Sequence, residues 1–76
     1  MKVVMPQIGM TMQEGTIMNW FKEDGAHINK GDQMVEIDTE KQSNVIEAPA
    51  SGIIKIIAQI DDIIPCGEEI AEIIED

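Results

Sequence analysis

The chain has no arginine, no leucine and no tyrosine, and only one cysteine, one histidine and two aromatic residues in its 76 positions. Each shortage removes a class of function. With five Lys against 15 Asp and Glu, a formal charge of −10, and no guanidinium fork, there is no basic patch for nucleic acid or an anionic membrane. The single Cys66 cannot close an internal disulfide, and no CxxC pair or His/Cys cluster encodes a zinc site. No apolar run approaches the ~18 residues of a membrane span, and the start lacks the charged-then-apolar pattern of a secretory leader. A cytoplasmic location is the expectation, or the mitochondrial matrix for a eukaryotic source. The length fits one domain, 1–76, of modest stability, and argues against an enzyme with a deep cleft. Yet 43% hydrophobic content excludes a disordered acidic tail, which could not bury enough apolar surface to offset chain entropy.

What fills the apolar positions is isoleucine: 15 Ile and four Val. Such β-branched side chains suit a pleated surface and lose rotamer freedom in a helix. Period-2 segments bounded by turn residues predict strands at Lys2 to Met5, Thr16 to Lys22, Gln33 to Asp38, Ser43 to Ala48, Gly52 to Gln59 and Glu69 to Ile74. Turns are expected at Gly9 to Gly15, Glu23 to Gly31, Thr39 to Gln42, Pro49 to Gly52 and Asp61 to Gly67. Ile70, Ile73 and Ile74 among glutamates also fit a helix period. An internal repeat resolves that ambiguity. A shift of 36 residues lays Ile28 on Ile64, Gly31 on Gly67, Asp32 on Glu68, Met34 on Ile70, Glu36 on Glu72 and Ile37 on Ile73. Upstream, Gly15-Thr16-Ile17 lies on Gly52-Ile53-Ile54 at a shift of 37, as if the second copy's loop were one residue shorter.

The C-terminal segment is thus expected to be a strand, in an all-β domain of two halves with three to four short strands each. The halves form two small antiparallel sheets, related by approximate two-fold symmetry and packed face to face. The halves join at Asp38-Thr39-Glu40-Lys41-Gln42-Ser43, where a four-residue connection makes a β-hairpin tip with Lys41 exposed at its apex. The chain termini are expected to pair at the end opposite that tip.

Three blocks now resemble the lipoyl (biotinyl/lipoyl attachment) domain family over nearly the whole length. Val4-Met5-Pro6-Gln7-Ile8-Gly9-Met10-Thr11-Met12-Gln13-Glu14-Gly15-Thr16-Ile17 is similar to the opening of the acyltransferase (E2) components of pyruvate and acetoin dehydrogenase complexes. Gly31-Asp32-Gln33-Met34-Val35-Glu36-Ile37-Asp38-Thr39-Glu40-Lys41 resembles the segment whose lysine carries lipoate. Val45-Ile46-Glu47-Ala48-Pro49-Ala50-Ser51-Gly52 resembles the block that follows it. The resemblance implies a flattened barrel-sandwich hybrid and makes Lys41 the site of covalent lipoyl attachment, with Glu40 and Gln42 flanking it for recognition. It departs from the family pattern in having Glu40 for the usual Asp, Gln42 for a small or β-branched residue, and Glu23-Asp24-Gly25 transposed.

The implied function is a non-catalytic swinging-arm carrier of lipoate on Lys41. Its implied partners are a lipoate ligase or lipoyl transferase, a thiamine-diphosphate-dependent decarboxylase (E1), the acyltransferase catalytic domain (E2) and a dihydrolipoyl dehydrogenase (E3). A biotin carrier of a biotin-dependent carboxylase is the alternative in the same fold, but that family flanks its lysine with Met. An unmodified protein-interaction module is the alternative from another class.

An exposed Lys on a turn is ordinarily just solvated. Of the five, Lys41 alone sits at the repeat's midpoint within a matching motif. It does not read as a catalytic amine, since an alkylammonium is almost wholly protonated at neutral pH and the nearby Asp38, Glu40 and Glu47 oppose its release. His27 has no nucleophile or acid at triad spacing. Cys66 reads as a half-exposed, unreactive thiol, and at least one of Trp20 and Phe21 as core. Met10 and Met12 read either as gap fillers or as an adaptable contact surface beside the tip.

Overall fold

The computed structural model describes residues 1–7, 9–10, 12–39 and 42–75. Among them lie eight strands: β1 (Lys2–Val4), β2 (Glu14–Trp20), β3 (His27–Ile28), β4 (Gln33–Asp38), β5 (Ser43–Glu47), β6 (Gly52–Ile56), β7 (Ile63–Pro65) and β8 (Glu69–Glu75). All pairings are antiparallel, in two four-stranded sheets of order β1-β8-β6-β3 and β5-β4-β2-β7. Exchanging β1 with β5, β2 with β6, β3 with β7 and β4 with β8 turns one order into the other, so the approximate two-fold is present. Each sheet takes two strands from each half. The segment at Glu69–Glu75 is a strand: it is paired on both sides, by β1 and β6, and alternating burial places Ile73 inward and Ile74 outward.

The symmetry extends to single hydrogen bonds. Ala48 N donates to Asp32 O at 2.8 Å and Gly31 N to Ala48 O at 3.0 Å; in the other half Met5 N donates to Glu68 O at 2.8 Å and Gly67 N to Met5 O at 3.0 Å. Gly25 N reaches Ile54 O at 2.8 Å where Asp61 N reaches Ile17 O at 2.7 Å. The register also corrects one expectation. Ile17 opposes Ile37 but Asn19 opposes Glu36, whereas Ile54, Lys55 and Ile56 oppose Ile73, Glu72 and Ala71 without a break. The residue by which the halves differ is therefore Met18, a β-bulge in β2, and not a loop residue.

Two strands, β3 and β7, fall inside segments expected to be turns. Each has two or three residues, too few for alternation to show, and each abuts a turn-forming residue, Asn29 after β3 and the Pro65 that ends β7. The expected strands at Thr16 to Lys22 and Gly52 to Gln59 end earlier, at Trp20 and Ile56.

The inner faces meet in a core of Val3, Met5, Ile17, Ile28, Met34, Val35, Ile37, Ala48, Ile54, Ala58, Ile70, Ala71 and Ile73. No polar or charged side chain among the described residues is buried with them. Trp20 packs partly buried against this cluster, its indole N–H donating to Ala58 O at 3.0 Å, while Phe21 is exposed. Burial of large apolar side chains, at about 1.5–3 kcal/mol each, is what holds a domain without cross-links.

Backbone geometry separates two kinds of glycine. Gly25 has φ 87° with open space where a Cβ would stand, and its counterpart Asp61 takes φ 75° with a side chain. At Gly52 a Cβ would run into the carbonyl oxygen of Ile74 on the paired strand. Urea unfolding should therefore show Gly25→Ala costing about 1 kcal/mol, the left-handed penalty alone. Gly52→Ala should cost about 2–3 kcal/mol through overpacking against backbone. Equal losses would refute the distinction.

Candidate functional site

The strongest positional feature is the β4–β5 hairpin that joins the halves. β4 reaches its end because Ile37, Val35 and Met34 fill the core, and β5 returns with Asp38 opposite Ser43 and Ile37 opposite Asn44. Beyond that pair, Thr39 closes the connection: its N–H donates to Gln42 O at 2.9 Å and its hydroxyl to the same oxygen at 3.1 Å. Gln42 is exposed and serves the hairpin through its carbonyl. Glu40 and Lys41, the other two residues expected at this site, lie outside the described residues. The two-fold exchanges the β4–β5 pair with β8 and β1, where Met1 N and Ile73 O meet at 2.6 Å and Ile73 N reaches Met1 O at 2.8 Å. The place held by the hairpin in one sheet is thus held in the other by the pairing of the two chain ends.

A second segment flanks the hairpin. Across the sheet, Ser43, Asp38, Thr16 and Ile63 form one outward row, so the chain entering β2 arrives beside the hairpin. That entering segment is tied down on both sides. Gln7 Nε2 donates to Met10 O at 3.3 Å and Met12 O at 3.2 Å, Met12 N donates to Gly9 O at 3.1 Å, and Cys66 N donates to Gln13 O at 2.9 Å. Sequence alone gives no sign of this role for Gln7, since a glutamine after Pro6 in a turn-rich stretch carries no local pattern of its own.

The methionine pair separates in function. Met10 is 97% exposed, whereas Met12 packs against the core, and its Cε lies 3.0 Å from where a Cβ on Gly15 would stand. Met12 anchors the segment and Met10 is displayed by it. Cys66 is half-buried and outside any disulfide, its thiol facing Met12 O at 3.6 Å and Pro6 O at 3.8 Å. His27 is exposed on β3, in the other sheet. Asn44, next to the hairpin in β5, buries its Nδ2 with no hydrogen-bond partner. Among the described residues no group of three His, Cys, Asp or Glu could hold a metal ion, and no helix is long and apolar enough to cross a membrane. What the described residues show at this end is a hairpin base closed by Thr39 and Gln42 and an exposed Met10 side chain.

Residues 1–73 match the biotin/lipoyl family model, described as "Biotin-requiring enzyme". Among curated proteins, the chain is 38% identical over 74 residues to the dihydrolipoyllysine-residue acetyltransferase component of the acetoin cleaving system of Pseudomonas putida, covering 96% of this chain and 20% of that protein. It is 40% identical over 72 residues to the corresponding component of the pyruvate dehydrogenase complex of Mycobacterium bovis, covering 93% and 13%. The chain thus spans a fifth or less of the length of these relatives. Among solved structures, the lipoyl domain of the 2-oxoglutarate dehydrogenase complex from Azotobacter vinelandii superposes with a TM-score of 0.81 at 25% identity, covering 97% of this chain and 95% of that one.

The split between the two methionines is measurable. Met10→Ala should leave the unfolding free energy within about 0.5 kcal/mol of the parent, as an exposed change does. Met12→Ala should cost about 1–2 kcal/mol, less than truncation of a fully buried Met because Met12 is partly buried. Chemical denaturation of the single variants reads both, and a large loss at Met10 would contradict its display.

Proposed function

From the premise that the chain belongs to the biotinyl/lipoyl attachment family, we propose that it is a carrier domain bearing lipoate in amide linkage on Lys41. The observation that carries this reading is the hairpin: the β4–β5 connection stands at the midpoint of an internally symmetric fold, braced by Thr39 and Gln42, and Lys41 lies in the chain between those two residues. In this reading an external ligase with an activated acyl donor modifies that lysine. Lipoate is favoured over biotin by the relatives, whose names specify a dihydrolipoyllysine residue, and by the Glu40 and Gln42 that stand where biotin carriers have Met.

The domain's own residues supply no catalysis in this reading. The two-sheet body carries the hairpin, Thr39 and Gln42 fix its base, and the Met10 segment that leads into β2 offers the contact by which partner enzymes recognise the domain. When bound, lipoate supplies the reducible dithiolane that accepts an acyl group and two electrons. The partners are a ligase or lipoyl transferase, a thiamine-diphosphate-dependent decarboxylase, an acyltransferase domain and a dihydrolipoyl dehydrogenase. Tethering then raises the effective concentration of the intermediate among their sites. The acyl source is a 2-oxo acid or acetoin, and the larger chain is an E2 component.

Intact-mass measurement after incubation with ligase, ATP and lipoate tests the assignment. One lipoyl increment is expected, mapping to Lys41, and Lys41→Arg should lose it while melting at the parent temperature. Lipoate found on Lys22, Lys30 or Lys55 would sink the site. An increment only with biotin and its ligase would favour the biotin carrier, and none with either would favour the unmodified module.

A further inference from the structure

We propose that Met10 is a reversible oxidation site whose sulfoxide weakens the reception of this domain by its decarboxylase partner. The second half of that statement rests on the carrier reading above. The first half rests on exposure and bracing alone. Of the methionines, Met10 is 97% exposed, Met1 50% and Met18 42%, while Met5 at 1% and Met34 at 0% lie in the core. Exposure governs how readily an oxidant reaches a thioether, and this gradient places Met10 first.

What makes Met10 more than an exposed side chain is how it is held. Gln7 Nε2 donates to the carbonyls of Met10 and Met12, Met12 packs partly buried against the core beside Gly15, and Cys66 N donates to Gln13 O. The segment is pinned at its backbone and presents one flexible, polarizable apolar group toward solvent, four residues ahead of β2, whose Thr16 pairs with Asp38 at the base of the hairpin. A contact made by a thioether loses its apolar character when the sulfur gains an oxygen.

The chemistry balances with hydrogen peroxide as oxidant. A sulfur lone pair of Met10 attacks one peroxide oxygen, the O–O bond breaks, an S–O bond forms and water leaves. Sulfur is oxidised by two electrons and the peroxide reduced by two. Methionine sulfoxide reductase reverses the step: two thiols supply two electrons, the oxygen leaves as water and a disulfide forms.

Lipoylated domain treated with limiting hydrogen peroxide, then digested for peptide mass mapping, should show Met10 sulfoxide accumulating several-fold ahead of Met1 and Met18, with Met5 and Met34 unmodified. Its rate of reductive acylation, measured with a decarboxylase that acylates the untreated domain, should fall several-fold and recover after methionine sulfoxide reductase. Met10→Leu should keep its own untreated rate through the same peroxide exposure, which separates Met10 from Cys66 and the dithiolane as targets. Met1 or Met18 oxidising first would overturn the site. A Met10 sulfoxide acylated at the untreated rate, or an equal loss in Met10→Leu, would overturn its consequence. If no decarboxylase acylates the untreated lipoylated domain, the carrier reading falls and the gating with it, while the mapping still decides the order of oxidation.

Discussion

Burial of β-branched side chains between two sheets, each drawing strands from both halves of the chain, is the constraint on which everything else in this domain depends. Ile17, Ile28 and Ile37 come from the first half, Ile54, Ile70 and Ile73 from the second, and all six are fully excluded from water. Electrostatics contributes little by comparison. The ion pair found among the described residues, Lys22 with Asp32 at 4.0 Å, is exposed on both sides, and such pairs are worth at most about 1 kcal/mol. A chain carrying a formal charge of −10 repels itself, so the apolar interior has to offset that repulsion as well as chain entropy. In return, strong net charge of one sign keeps a domain soluble at high local concentration.

Because the interior is made by strands, function is displaced to their connections. The hairpin between β4 and β5 and the segment before β2 meet at one end because β2 and β4 are neighbours with Thr16 opposite Asp38. Each connection is fixed at its base by backbone carbonyls, Gln42 O in one and Met10 O and Met12 O in the other. That arrangement fits the proposed carrier role, in which the connection is held at its base and the mobile part is the attached group.

Much of this was legible in the residues, for a physical reason that also marks where legibility stops. The repeat survives in sequence because symmetry-related positions such as Ile37 and Ile73, or Gly31 and Gly67, meet the same packing and the same backbone demand. It therefore gave the strand at Glu69–Glu75 against a competing helical period, and it paired Ile28 with Ile64, the one trace of the short strands β3 and β7. Alternation could not show those strands, since two or three residues make no period. In sequence the bulge at Met18 is indistinguishable from a loop difference, because a one-residue offset in a repeat says that something was inserted and not where; only the register of β2 against β4 locates it. Phe21 and Trp20 were equivalent on composition, and the hydrogen bond from Trp20 to Ala58 O is a long-range contact that no local pattern encodes. At the proposed site, Gln42 was legible as a flank and its actual service, a carbonyl accepting twice from Thr39, was not.

The interleaving of halves has a mechanical corollary. Every pairing between halves, β1 with β8, β2 with β7, β3 with β6 and β4 with β5, is a sheet contact, so each half keeps only one two-stranded ladder of its own, β2 with β4 or β6 with β8. A protease that nicked the chain between Thr39 and Gln42 would release nothing: the two fragments would stay knitted by all four of those pairings, and would come apart only when the whole domain unfolds. Fraying, on the same logic, begins at the outer strands and cannot spread inward by halves, which makes the unit of unfolding the entire domain.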